Sequence, residues 1–382
     1  MKKSASRILI THVGSLPRPA DLLDLMKAKL AGAAVDQGAY DAHVKRAVAD
    51  CVKKQVGTGI DIVSDGEQSK PGFFTYVGER LEGFEARPQL KRRMFPAEVA
   101  AFPEYYEKYF REAMIGGAIA PVVPLVCTGP VRYRGEAALA RDIDNLKSAA
   151  AGAYAAFMPA VAPSGVGSNE YYRSEEEFLY AVGAALRTEY KAIVDSGLFL
   201  QVDDPFLCDI FADPALDAAA RKKRAGMYVE TLNEALRGIP PEKVRYHTCY
   251  GINEGPRIHE AALSDVVGYM LRVNAGAYSF EAANPRHEHE YHLWESVKLP
   301  AGKILIPGVI THASNIVEHP LLIAERLLRF ARLVGRDNVI AGADCGFSSQ
   351  ASYHTEVHPT VVWAKFEALR EGARLATRQL RS

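Results

Sequence analysis

The chain has 382 residues, 48% of them hydrophobic, and its 46 Lys and Arg balance 46 Asp and Glu. That balance excludes a global field drawing in nucleic acid or an anionic membrane surface, and no apolar run approaches the ~20 residues of a membrane helix. Five cysteines without paired spacing exclude a disulfide scaffold and fit a reducing, cytoplasmic compartment.

Along the chain, Met1-Lys2-Lys3 leads into a brief apolar stretch at Ile8 to Ile10, too short for a secretion signal. Short β-rich runs then alternate with longer helical ones. Strands are predicted over 7–13, 61–64, 156–161, 199–203, 244–249, 277–281, 303–309 and 338–343. Amphipathic helices are predicted between them, among others over 42–57, 174–196, 213–237 and 320–335. Gly57, Gly197, Gly238 and Gly335 stand where C-terminal caps belong. Eight βα repeats predict an α/β fold, a (β/α)8 TIM barrel filling residues 1–382 as a single domain. Residues 71–141 break the rhythm with aromatics, charges and Pro88, Pro96, Pro103, Pro121, Pro124 and Pro130. They are read as an insertion between the second and third strands, β-rich around 120–133. The basic clusters Lys91-Arg92-Arg93 and Arg221-Lys222-Lys223-Arg224 are read as solvated faces. Cys51, on a stripe with Val44, Val48 and Val52, is read as packing, and Cys127 and Cys208 as structural.

In such a barrel the chemistry gathers at the C-terminal ends of the strands. Polar residues stand at every predicted end: Gly14-Ser15, Asp65-Gly66-Glu67, Asn169 to Tyr172, Asp203-Asp204, His247 and Cys249, Glu281, His312, and Cys345. His247 and Cys249 are two apart, so on a strand they share a face. With Glu281 and Cys345 they offer one imidazole, two thiolates and one carboxylate, a complete tetrahedral shell for Zn2+. The competing reading is two buried cysteines, a core histidine and a strand-end glutamate that never meet. His287, His289 and His292 crowd the segment after Glu281, but residues two apart on a helix do not share a face. A second metal site there is not expected. His354 and His358 have a metal-binding spacing, yet Pro359 marks a helix start, so the pair is read as loop. Tyr171 and Tyr172 would either stack on a planar donor or pack beneath their loop.

The segments Thr-His-Val-Gly-Ser-Leu-Pro-Arg, Ser-Asp-Gly-Glu, Gln-Val-Asp-Asp-Pro, His-Thr-Cys-Tyr-Gly, Phe-Glu-Ala-Ala-Asn, Ile-Pro-Gly-Val-Ile-Thr-His and Ala-Asp-Cys-Gly resemble the catalytic barrel of cobalamin-independent methionine synthase and its single-barrel relatives. The resemblance implies zinc on His247, Cys249, Glu281 and Cys345. It implies Glu67 and Asp203 on the amino group of homocysteine, Ser15 at the amino-acid end, and His312 moving a proton. Two features depart from the family. No tryptophan follows the third strand to hold a pterin ring, since the text is Ser168-Asn169-Glu170-Tyr171-Tyr172. After Cys345 stands Gly-Phe-Ser-Ser-Gln, where folate-using members carry basic residues.

The expected partners are a small thiol and a methyl or alkyl donor, and whether identical chains form a homo-oligomer is left open. Only a thiolate is a useful sulfur nucleophile, and zinc binding deprotonates a thiol. Cysteinate and carboxylate ligands keep that sulfur electron-rich, which favours alkyl transfer over hydrolysis. Glu281 is the ligand expected to loosen as substrate sulfur arrives. His312 is expected to protonate the leaving group. Two alternatives stand beside this reading. One is an epoxide-opening coenzyme M transferase of the same family. The other is a metal-free lyase like the uroporphyrinogen decarboxylases, which would place arginines where Ser15, Glu67 and Asp203 stand.

Overall fold

The computed structural model describes residues 6–90, 93–113, 116–251 and 254–381; Lys91 and Arg92 of the first basic cluster lie outside them. Its main sheet holds seven parallel strands, ordered Ile62–Val63, Ala155–Val161, Phe199–Asp203, Val244–His247, Ala277–Phe280, Ile304–Ile310 and Gly342–Ala343. The sheet is curled, consistent with a TIM-like barrel. The predicted first strand is reduced to single bridges, Ile10 with Ala341 and Thr11 with Ile62, both parallel. Its backbone is bonded on both sides: Thr11 N–H donates to Ala341 O at 2.9 Å and Ile62 N–H to Ile10 O at 3.1 Å.

Strand alternation sorts the apolar residues into two layers. Leu9, Ile62, Phe157, Ala277, Ile304, Ile306 and Ile340 form one buried cluster. Their neighbours Ile8, Ile10, Val63, Met158, Tyr278 and Leu305 belong to the larger cluster that includes the helices. Arg245 is fully buried. It lies 3.8 Å from the Phe157 ring centre and donates to Thr11 Oγ1 and His12 O. Burial lowers its pKa to about 9.

Helix boundaries follow local chemistry. Asp36 caps the N-terminus of Gln37–Thr58. The expected C-terminal cap, Gly57, lies inside this helix; Gly59, with φ 92°, takes the left-handed position instead. The predicted helix 213–237 is shortened to Ala218–Ala235, with a separate short helix, Phe206–Ala212, before it. Pro214 interrupts the run and Asp217 starts the second piece by accepting from Ala220 N–H. In that second helix Lys222 and Lys223 are exposed.

A separate layer is built mostly from the chain between Ile62–Val63 and Ala155–Val161. Leu81–Ala86 pairs antiparallel with Leu125–Tyr133, and Ser168–Asn169 joins the latter in parallel. Short helices Val77–Arg80, Pro96–Ala101 and Pro103–Glu112 accompany them. Among the described residues, no helix is long and apolar enough to cross a membrane.

Candidate metal and thiol site

His247 ends its strand, and Cys249 follows two residues on, where Thr248 N–H still donates to Ser279 O at 3.0 Å. Cys345 follows the strand Gly342–Ala343. Ligand atoms of His247, Cys249 and Cys345 lie within 4.8 Å of one another. The Cys345 thiol donates to Cys249 Sγ at 3.4 Å. His247 Nδ1 is held by Ser279 Oγ at 3.0 Å, while the buried Nε2 has no partner. Burial brings the His247 pKa down to about 3, so the imidazole is neutral, the form that binds metals. The Cys249 thiol is pushed well up, first by its contact with Cys345 and then by burial.

Glu281, expected as the fourth ligand, is held by three partners of its own. One carboxylate oxygen accepts from Tyr250 N–H at 3.1 Å. The other accepts from Arg257 Nη2 at 2.8 Å and Asn284 Nδ2 at 2.6 Å. A carboxylate with no exposed side-chain surface needs such a counter-charge. Burial raises the pKa of Glu281, but Arg257, His312 and His287 together outweigh it and the net shift is downward. Ligand atoms of Glu281, His312 and Asp344 form their own group, again within 4.8 Å of one another. Burial lowers His312 to about 4, so it is neutral at pH 7 rather than a ready acid. Asp344 is raised to about 7 by burial and by Glu281, while its Oδ1 accepts from Ala282 and Ala283 N–H, each at 2.8 Å.

Ser15, Glu67, Asp203, His247, Cys249, His312 and Cys345 line one cavity of about 100 Å³. Glu67 sits at φ 55° in the loop after Ile62–Val63, and its Oε2 is buried without a partner. Lys70 Nζ lies 3.5 Å from the other oxygen and 2.6 Å from Pro159 O. Asp203 is pushed well above the usual carboxylate range by burial and then by Glu67. A Cβ on Gly346 would fall on Ser15 Oγ, so a larger residue there would force the Ser15 hydroxyl to another rotamer.

Tyr171 and Tyr172 do not line the cavity. Asn169 Oδ1 accepts both their backbone N–H groups. The Tyr172 hydroxyl accepts from Val131 N–H and its ring packs 6.3 Å from Phe178, while Tyr171 is half exposed. These contacts fit the packing alternative for Tyr172. His287 binds Glu260 and Glu290 and stacks on Tyr250 at 3.8 Å. His289 and His292 are exposed. His358 caps the helix Pro359–Gln379.

The sequence reasoning missed Arg257 and Asp344, and the walls Phe73, Phe74, Met94 and Ser348. Asp344 stood beside Cys345 and was the findable one. Arg18 was also missed; it ties the loops together by donating to Glu67 O, Lys70 O and Ser348 O.

Fold and site define an α/β protein of parallel strands whose C-terminal ends converge on a His-Cys-Cys cluster facing two acids. Residues 8–93 match the model of the cobalamin-independent synthase catalytic domain. The methionine synthase of Sulfolobus acidocaldarius is 26% identical over 245 residues, covering 63% of this chain and 61% of the relative's length. That of Saccharolobus solfataricus is 22% identical over 375 residues, 97% of this chain and 95% of the relative. Among solved structures, a B12-independent methionine synthase from a Shewanella species, in complex with selenomethionine, superposes with a TM-score of 0.75. It is 19% identical, with 98% of this chain and 99% of that one covered. A second, from Listeria monocytogenes and described as putative in its own right, gives 0.68 at 18% identity, covering 97% and 98%. The chain is thus similar to members of the cobalamin-independent methionine synthase family, in part of its sequence and in fold.

Proposed function

We propose that this protein transfers a methyl or alkyl group to the sulfur of a small amino-acid thiol of the homocysteine kind. The observation that carries the reading is one cavity holding His247, Cys249 and Cys345 beside Glu67 and Asp203. The partnerless Nε2 of His247 and the adjacent thiols suit a soft, tetrahedral metal, and we take zinc to be held there. Bound zinc would supply a thiolate at neutral pH from the acceptor thiol. Glu281 is the protein's own claimant for a further ligand position, in competition with Arg257. We read Ile8–Thr11 as the eighth stave of a closed barrel, residues 1–382 as one domain, and 71–141 as its insertion.

The chain's own residues divide the remaining work. Glu67 and Asp203 face one space with an unpaired oxygen and a strongly raised pKa, which an arriving ammonium would relieve. Ser15 lies at the same wall. Because burial keeps His312 neutral, it serves as a proton carrier drawing on Asp344, which holds its proton up to about pH 7. The acidic lining does not favour a decarboxylase that grips a polycarboxylate, and Arg18 is spent on backbone carbonyls. The amino-group acids likewise do not favour coenzyme M, which has no ammonium. The test is metal analysis with isothermal titration of homocysteine and of coenzyme M. About one zinc per chain and a preference for homocysteine support the reading; no zinc under reducing conditions overturns it.

A further inference from the structure

A second cavity of about 510 Å³ adjoins the thiol site, within the ~300–1,000 Å³ usual for small-molecule pockets. Phe74, Val122 and Gln350 line both cavities. Its other walls include Val77, Ile119, Val123, Leu125 and Phe206, drawn mostly from 71–141. A Cβ on Gly165 would strike the Phe206 ring at 2.3 Å, so glycine there lets the ring lie against the wall. Leu30 and Leu90, 40% and 45% exposed, also line it. Among the described lining residues there is no Lys, Arg or His; Glu79 is the charged one, and Lys29 lies 3.5 Å from it.

We propose that this cavity binds the alkyl donor, and that the donor is an uncharged, largely apolar molecule. A polyanion such as a pteroylpolyglutamate would find no cation on the described walls and would lose its hydration against aliphatic side chains. The same walls gain from removing apolar surface from water. This inference rests on the thiol-alkylation reading for the ligand's role. The acceptor sulfur forms the new S–C bond with its own electron pair. The carbon's bond to its leaving heteroatom breaks, the pair goes to that heteroatom, and the thiol's proton ends there, so thiol plus donor gives thioether plus protonated leaving group.

The test uses the full chain and N-phenylnaphthylamine, a neutral probe that fluoresces in apolar surroundings. Wild type is expected to bind it saturably at one site. Val123→Trp, which fills the cavity, should weaken it about tenfold or more, and Val123→Ala should retain it. Ala120→Trp gives a second filled variant if Val123→Trp fails to fold. Zinc content and homocysteine affinity should not move in any of them. Equal probe binding by wild type and both filled variants overturns the proposal, as does displacement of the probe by pteroyltriglutamate more readily than by a neutral aryl methyl ether. Probe binding that survives in a protein holding no zinc and no thiol would refute the function above while leaving the apolar site in place.

Discussion

Arg257→Met removes the guanidinium that neutralises Glu281. The pair is 2.8 Å long, with side-chain exposures of 4% and 0%, so solvent screens it little. Breaking a buried pair from one side costs about 3–5 kcal/mol. Here the lower end is expected, because Tyr250 N–H and Asn284 Nδ2 remain on the carboxylate. The sign with pH follows from Glu281. In wild type its pKa lies below 4.5, so the stability it contributes is present above 4.5 and fades as pH falls through the folded value. Without Arg257, burial raises that pKa, and the variant takes up a proton instead. The gap between wild type and variant, measured by urea unfolding, should therefore be about 3 kcal/mol at pH 7 and shrink toward pH 5. Glu281→Gln on the Arg257→Met background should recover most of the loss as a coupling energy. A gap below about 1 kcal/mol, or one independent of pH, would refute this account of what holds Glu281.

Four further outcomes are expected. Cys249→Ser or Cys345→Ser should abolish zinc binding by metal analysis while circular dichroism shows the fold kept, since a core this large does not need a metal staple. Glu67→Gln and Asp203→Asn should each raise the KM for an amino-acid thiol by about tenfold to a hundredfold, from a charge-assisted hydrogen bond of about 1.5–3 kcal/mol; an unchanged KM would remove the ammonium role. His312→Asn should slow turnover by ~10²–10⁴ with zinc and thiol affinity unchanged, and less with a sulfonium donor, whose leaving group needs no proton; an equal defect with all donors would make it a positioning residue. His287 is pulled down by burial but raised to about 9 by Glu260 and Glu290. Its contribution, about 3 kcal/mol from the gap above 6.5, should be full below pH 6.5 and lost as pH rises through 9, and a His287→Gln variant should lack that slope in thermal unfolding.

Local rules carried much of this protein. Phe199–Asp203 was legible residue for residue because alternation and β-branching act within a few positions. The helix starts at Ser174 and Pro320 were legible from capping chemistry. His247 and Cys249 were legible as a pair because strand geometry alone puts them on one face. The aromatic, proline-rich text of residues 71–141 marked a break in the βα rhythm, and the strand Leu125–Tyr133 falls within it. Other features depended on which strands became neighbours. Cys345 meets Cys249 across 96 residues only because the sheet curls. Glu281 is paired with Arg257 because a loop 24 residues earlier in the chain brings a guanidinium to it, and no periodicity encodes that pairing. The backbone at Tyr171 and Tyr172 is set by Asn169, which accepts both their N–H groups. A side chain's neighbours in sequence decide its conformation and facing, but a buried charge is decided by the partner that tertiary packing delivers, since desolvation leaves it no stable alternative.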